Sequence, residues 1–259
     1  MPEPDAEPSS KKCLVVIPTY NEAENIVILL DRLLALPIAV DAIVVDDASP
    51  DGTADLAAKH AGYGKRVFVI KRPRRIGYAS AVKEGFLWGS DKGYDICASM
   101  DADLSHDPRD VPSLIAAIDK GADLAIGSRY CGGIRIINWP LRRLLLSFFA
   151  GVYTRTLCGL PVSDPTSGFK AVTTRVIKAV DFSLCSADGY GFIVEFHFFV
   201  WRKGFRIVEV PIIYTDRRGG VSKMSRRIIL ESAWTVLKLA ARRFFQPADR
   251  AEKAASAGA

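Results

Sequence analysis

The sequence predicts an α/β fold, a mostly parallel sheet flanked by helices. Three observations carry this. Short apolar runs recur at residues 13–17, 42–45, 67–70, 96–100 and 124–127, and unbroken runs of that length read as buried parallel strands. Helical patterns alternate with these runs over about 130 residues, the order of a doubly wound sheet. Three of the runs end in short acidic segments, Glu22 after the first, Asp46 and Asp47 after the second, Asp101 and Asp103 after the fourth. In a parallel sheet such strand ends share one edge, where open α/β folds bind ligands.

The elements follow in chain order. After the first run, Pro18-Thr19-Tyr20-Asn21-Glu22 forms a loop, and Thr19 or Asn21 is positioned to cap a helix with Ile26, Leu29, Leu30 and Leu33 on its apolar face. Residues 77–89 read as a helix, with Gly77, Ala81 and Gly85 making a small-residue face for close packing. The fourth run leads into Asp101-Ala102-Asp103-Leu104-Ser105-His106-Asp107 and then a helix over 110–120. An Asp-x-Asp pair at a strand end offers hard oxygen ligands suited to Mg²⁺ or Mn²⁺. Taken alone it reads as a solvated turn or a helix cap. His106 reads as a polar residue leading into the helix.

The second half differs. A helix over 140–157 sets Leu141, Leu144, Leu145, Phe148, Phe149 and Val152 among Arg142, Arg143 and Arg155. That composition suits a helix lying in a membrane interface or an ordinary core helix, and the pattern leaves both open. Residues 162–170 read as a polar loop. A very apolar helix over 189–202 contains Glu195, expected to pair with an arginine. Strand-like segments follow at 205–210 and 212–214, broken by Pro211, then a basic, glycine-containing loop over 216–225 and a basic amphipathic helix over 226–245.

Composition narrows the function. The chain has 259 residues, 49% hydrophobic, with a net charge of +6. From residue 202 to 250 there are twelve Lys or Arg against four Asp or Glu. A basic end suits phosphorylated substrates or anionic lipid. Nucleic acid is not expected as a partner, because no zinc, helix-turn-helix or RNA-recognition signature accompanies the charge. Neither Gly-x-Gly-x-x-Gly nor a P-loop follows the first strand, so a nucleotide is expected to be held by carboxylates and a metal. The five cysteines lack metal spacing and read as buried thiols of a reducing compartment. The start is acidic and Pro-rich, unlike a signal peptide. Residues 1–11 are expected to be a disordered leader and 247–259 a disordered tail.

Several ordered motifs carry a family resemblance. Val16-Ile17-Pro18-Thr19-Tyr20-Asn21-Glu22, Val45-Asp46-Asp47-Ala48-Ser49-Pro50-Asp51-Gly52-Thr53, Asp101-Ala102-Asp103 and Gly127-Ser128-Arg129-Tyr130 resemble the inverting glycosyltransferases of family 2, which have a GT-A fold. Trp139 with Arg143 and Ser147, Ser163-Asp164 with Thr166-Ser167-Gly168-Phe169, and Arg217 with Gly220, Ser222 and Lys223 are similar to polyprenol (dolichol) phosphate mannose synthases. The likeness runs from about residue 15 to 224. It implies a catalytic domain over 12–225 and a C-terminal basic helix over 226–246.

The resemblance implies GDP-mannose as donor, a polyprenyl phosphate as acceptor and Mg²⁺ or Mn²⁺ as cofactor. Pro18, Tyr20, Glu22, Val45 and Asp47 would hold the guanosine part. Asp101, Ala102 and Asp103 would meet the diphosphate, with the metal on Asp101 and Asp103. Where some relatives have Gln as a further metal ligand this chain has Ser105, a shorter and weaker one. Arg129 would sit between the donor and acceptor phosphates, Arg143 and Ser147 would take the acceptor phosphate, and Arg217 and Lys223 would close over the donor. Asp103 and Arg129 are the expected catalytic pair. Members of that family carry their own C-terminal transmembrane helices or rely on a partner. Here the expectation is a cytoplasmic protein, peripheral at the cytosolic membrane face, with a membrane-embedded partner protein as a further expectation. The residues leave open a sister activity with UDP-glucose and a non-catalytic scaffold of a membrane complex.

Overall fold

The computed structural model describes residues 11–216 and 226–245. Seven strands form one sheet: β1 (Cys13–Thr19), β2 (Val40–Asp46), β3 (Val67–Lys71), β4 (Ile96–Ser99), β5 (Leu124–Ser128), β7 (Lys170–Thr173) and β8 (Ile207–Pro211). Their order is β3-β2-β1-β4-β7-β5-β8. All neighbours are parallel except β7, which runs antiparallel to both β4 and β5. Two short strands, β6 (Ile136–Ile137) and β9 (Tyr214–Thr215), pair beside the sheet. The helices are α1 (Ile26–Leu34), α2 (Thr53–Ala58), α3 (Tyr78–Asp91), α4 (Val111–Asp119), α5 (Leu141–Cys158), α6 (Thr174–Ala179), α7 (Gly189–Arg202) and α8 (Arg226–Phe245).

The unbroken apolar runs are explained by two cores. Successive side chains of a strand point to opposite faces. Leu14 and Val16 of β1 join Phe86 of α3 and Phe196 of α7 on one face, while Val15 and Ile17 join Leu29 and Leu30 of α1 and Leu114 of α4 on the other. The small-residue face of α3 is real. A Cβ on Gly89 would stand 2.6 Å from Cys97 Sγ and 2.8 Å from Leu14 Cδ2, and one on Gly85 would overlap Val16.

The structure corrects the sequence reading at several points. Residues 170–173 form a central strand where a polar loop was expected to end. Four residues opening on a lysine carry too little apolar signal to read as a strand. Helices α2 and α6, six residues each, are too short for a periodic signal. Neither Thr19 nor Asn21 caps α1; its N-cap position is Asn25, and the Thr19 hydroxyl donates to Asp46 at 2.9 Å. Glu195 accepts the Ala187 amide at 2.9 Å and so holds the turn before its own helix.

The core-helix alternative for residues 140–157 falls. Only Gly151, Thr154 and Cys158 of α5 are buried, while Leu141 is 68% and Phe149 62% exposed. On α8, Trp234 is 60% and Phe245 87% exposed, with Val236 and Leu239 turned inward. Among the described residues no helix is long and apolar enough to cross a membrane. All five cysteines are free, and four are buried. Burial pushes the thiols of Cys13, Cys97, Cys158 and Cys185 up to about 12, which leaves them unreactive at neutral pH.

Replacing Gly85 tests the close approach of α3 to β1. Overpacking of this kind costs about 1–3 kcal/mol, against the ~1 kcal/mol alanine gains over glycine within a helix. Gly85→Ala is therefore expected to lower the denaturation midpoint without changing the slope of the urea transition.

Candidate active site

The parallel strands deliver their C-terminal ends to one edge, and a cleft of about 550 Å³ lies there. Of the residues the sequence assigns to the donor, Pro18, Tyr20, Glu22, Asp47, Asp101, Ala102, Asp103 and Arg129 line it, and Arg143 joins them from the acceptor set. Val45 does not, since its side chain is fully buried in the core. Ser105 and Ser147 stand outside the lining. Ser105 is buried, its hydroxyl donating to Asp103 at 2.6 Å, and Ser147 accepts the Tyr130 hydroxyl at 2.8 Å. Arg217 and Lys223, with Gly220 and Ser222, lie outside the described residues.

Left-handed backbone marks three of these strand ends. Asn21, Ala48 and Leu104 each have φ of 59°, after β1, β2 and β4 respectively. Non-glycine residues adopt that region rarely and at a cost, and such positions cluster at functional sites. Each kink follows within a few residues of its strand and turns an acidic segment along the cleft.

The acidic residues divide by what they hold. Asp46 accepts from the Thr19 and Ser49 hydroxyls and the Ser49 amide. Asp47 accepts from Arg72 Nη1 at 2.9 Å and from the amides of Ile76 and Gly77, both at 2.8 Å. Both carboxylates therefore build the loop walls. Asp101 and Asp103 belong to the floor. Among the described residues no group of three or more His, Cys, Asp or Glu side chains could hold a metal ion.

The opposite wall is basic and aromatic. Arg129, at the end of β5, is buried and meets Asp164 through Nε and Nη2, both at 2.7 Å, and through its amide at 3.0 Å. The guanidinium beside it holds Asp164 below the usual carboxylate range against the burial that would raise it. Glu209 of β8 accepts the amides of Ser163 and Asp164. The Arg129 guanidinium stands 5.6–5.7 Å from the rings of Tyr130, Trp139 and Tyr214. Arg143, on α5, pairs with Asp216 at 2.9 Å and lies 4.1 Å over Trp139.

Several contributors were missed by the sequence reading. Asp164 and Glu209 carry Arg129, and Arg72 carries Asp47. Asp188 accepts the amides of Ala79 and Gly189, so one carboxylate serves the first turns of α3 and α7. Glu231 and Ser232 bring α8 to the cleft. Nothing in local sequence spacing signals these pairings, which join residues up to 109 positions apart. His106 lines the cleft but is buried, stacked on Phe169 at 4.9 Å. Burial pushes it down to about 4, so it is neutral at pH 7.

The Glycosyl transferase family 2 model matches residues 14–180. The chain is 43% identical over 228 residues to polyprenol monophosphomannose synthase of Mycolicibacterium smegmatis, covering 88% of this chain and 86% of that one. It is 42% identical over 233 residues to undecaprenyl-phosphate mannosyltransferase of Micrococcus luteus, covering 89% and 96%. Against dolichol-phosphate mannosyltransferase of Pyrococcus furiosus the identity is 37%, covering 85% of this chain and 61% of that one. Among solved structures, glucosyl-3-phosphoglycerate synthase from Mycobacterium tuberculosis, with Mn²⁺, UDP-glucose and glycerol 3-phosphate, has a TM-score of 0.61 at 22% identity, covering 90% of this chain and 81% of that chain. That likeness is one of fold.

Removing one partner of a buried ion pair strands the other charge and costs about 3–5 kcal/mol. Asp164→Ala is expected to lose stability on that scale in chemical denaturation. The folded-state shift is downward, so the stabilisation is present above the unfolded carboxylate value of 3.8 and lost as pH falls through the lower folded value. The gap between wild type and Asp164→Ala should therefore be full at pH 7 and close only in strong acid.

Proposed function

The chain belongs to glycosyl transferase family 2, and on that premise we propose that it moves mannose from GDP-mannose to a polyprenyl phosphate, with inversion, at the face of a membrane. One observation carries this reading. Helix α5 presents Arg143 to the cleft and Leu141, Leu145, Phe148 and Phe149 to the outside. A single element thus offers a cation for a phosphate and an apolar surface for the lipid attached to it. The mannosyltransferase names of the two bacterial relatives support the sugar and the acceptor class.

Asp101 and Asp103 fit a divalent cation by the chemistry of the donor set, carboxylate oxygens, with His106 buried and neutral nearby. Mg²⁺ and Mn²⁺ are commonly held by one or two carboxylates plus substrate phosphates, which suits a two-carboxylate site. When bound, such an ion supplies positive charge to the donor diphosphate. The Ser105 hydroxyl, already given to Asp103, fixes the orientation of that carboxylate.

The protein's own groups do the rest. Pro18, Tyr20 and Glu22 line the donor end of the cleft, where the nucleoside would lie. A phosphate monoester is anionic at neutral pH, so the acceptor needs no general base, in keeping with a neutral, buried His106. The acceptor needs positioning and exclusion of water. Arg129 and Arg143 flank the place where its phosphate would sit. An acceptor oxygen attacks the anomeric carbon as the bond to the diphosphate breaks, giving β-mannosyl phosphoryl polyprenol and GDP. Arg129 offsets the charge that develops on the leaving group, helped in this reading by Arg217 and Lys223.

The exposed apolar residues of α5 and α8 would lie in the interface, with Lys238 and Arg242 near anionic headgroups. A peripheral position at the cytosolic face follows, with or without a membrane-embedded partner.

Two measurements test this. With radiolabelled GDP-mannose, a polyprenyl phosphate and Mg²⁺ or Mn²⁺, label should enter the lipid fraction, and Asp103→Ala should cut turnover by roughly 100-fold or more. Label from UDP-glucose alone would keep the chemistry and change the donor; no transfer from any sugar nucleotide would favour the scaffold. In sedimentation with anionic vesicles, Phe149→Asp should weaken binding of a protein that stays folded, whereas equal binding would remove α5 from the interface.

A further inference from the structure

The floor of the cleft rests on a buried polar brace to which none of the roles above refers. Lys170, the first residue of the antiparallel strand β7, is 1% exposed and sits between Ser99 of β4 and Ile126 of β5. Its Nζ donates to the Gly168 carbonyl at 3.1 Å, and the Ser99 hydroxyl donates to the same oxygen at 2.8 Å. His197 of α7, fully buried, meets the Pro165 carbonyl through Nδ1 at 3.0 Å. A carbonyl only accepts, so the Nδ1 tautomer carries the proton. Ser167 donates to Gly127 at 2.6 Å. Residues 165–168 are thereby tied from below.

Their upper side belongs to the cleft. Thr166 accepts from Arg129 Nη2 at 3.0 Å. Gly168 lies so close that a Cβ would stand 2.9 Å from the Tyr78 hydroxyl and 3.9 Å from Asp101 Oδ1. One short segment therefore bonds to Arg129 and passes close to Asp101.

Stability does not explain the lysine. Burying an amine costs free energy unless it is fully compensated, and desolvation here pushes it down to about 7. The Gly168 carbonyl would keep the Ser99 hydroxyl if Lys170 were gone. Asp101 nearby favours the charged amine and offsets only part of that cost.

We propose that Lys170 is a positioning residue for sugar transfer: with Ser99 and His197 it fixes the underside of residues 165–168, so that Thr166 and Gly168 keep Arg129 and Asp101 in register across the cleft. The amine donates whether or not it carries the extra proton, so this role does not depend on its titration. The catalytic consequence rests on the transferase reading above; the brace does not.

The test compares wild type, Lys170→Met, Ser99→Ala, the Lys170→Met/Ser99→Ala double variant and Lys170→Gln in thermal unfolding, steady-state transfer and hydrogen exchange. Lys170→Met is expected to melt at or above the wild-type temperature. Its kcat should fall by about 10-fold or more, the scale of a small misplacement of reacting groups, while the KM for the donor moves less than about threefold. Exchange should quicken at residues 166–169 and not elsewhere. The double variant, which strips both donors from Gly168, should lose more turnover than the product of the single losses. Lys170→Gln, a shorter donor, should recover part of the loss. Wild-type kcat with unchanged exchange in Lys170→Met would overturn the proposal, as would a uniform loss of stability that accounts for the lost rate. An inactive wild type would instead sink the transferase reading, and local exchange alone would then decide the brace.

Discussion

Arg129 and Asp164 meet as a buried bidentate ion pair, and the cleft depends on it. The arginine comes from the end of β5 and the aspartate from the loop that leads into β7. Neither charge is tolerable alone in so dry a place. Glu209, one strand further out on β8, accepts the amides of Ser163 and Asp164, so three segments are clamped at one point. The loop into the antiparallel β7 makes this possible, because it carries Asp164 to the pair and Thr166, Ser167 and Gly168 to the cleft. Loosening the pair would free the guanidinium and the loop together.

The second constraint is charge balance. A converging acidic edge repels a nucleotide diphosphate unless cations stand against it. Asp46 and Asp47 are answered internally by hydroxyls, amides and Arg72. Their burial makes rigid walls, and the left-handed residues after β1, β2 and β4 direct the chain along those walls. Asp101 and Asp103 line the same cleft as Arg129 and Arg143, which are themselves paired with Asp164 and Asp216. The aromatic rings of Tyr130, Trp139 and Tyr214 pack around Arg129 and limit its movement without neutralising it. The same α5 that supplies Arg143 carries the exposed apolar surface, so that end of the cleft and the apolar surface are continuous.

The sequence foretold what depends on local pattern. Strands buried on both faces are unbroken apolar runs, and all five of those read from the sequence are strands at nearly the read positions. The acidic clusters converge because parallel strands present one edge. What failed depends on partners far away in the chain. Strand β7 is four residues long and begins with a buried lysine, so neither composition nor period marks it. Val45 stands two residues before Asp47, which lines the cleft, and its own side chain is packed in the core. Asp164 lay inside a recognised motif, yet its pairing with a residue 35 positions earlier is set only by the sheet. The ambiguity of α5 was genuine, because an amphipathic helix has the same pattern whether its apolar side meets a core or a lipid.

Locating the metal tests the central claim most directly. Crystals grown with Mn²⁺ and GDP-mannose give an anomalous signal for the ion and density for the diphosphate. The expected result is a single Mn²⁺ peak touching Asp101 or Asp103, the diphosphate against it and Arg129 on the opposite side. A diphosphate bound elsewhere, or a cation held away from both aspartates, would contradict the arrangement of floor and wall on which the proposed transfer rests.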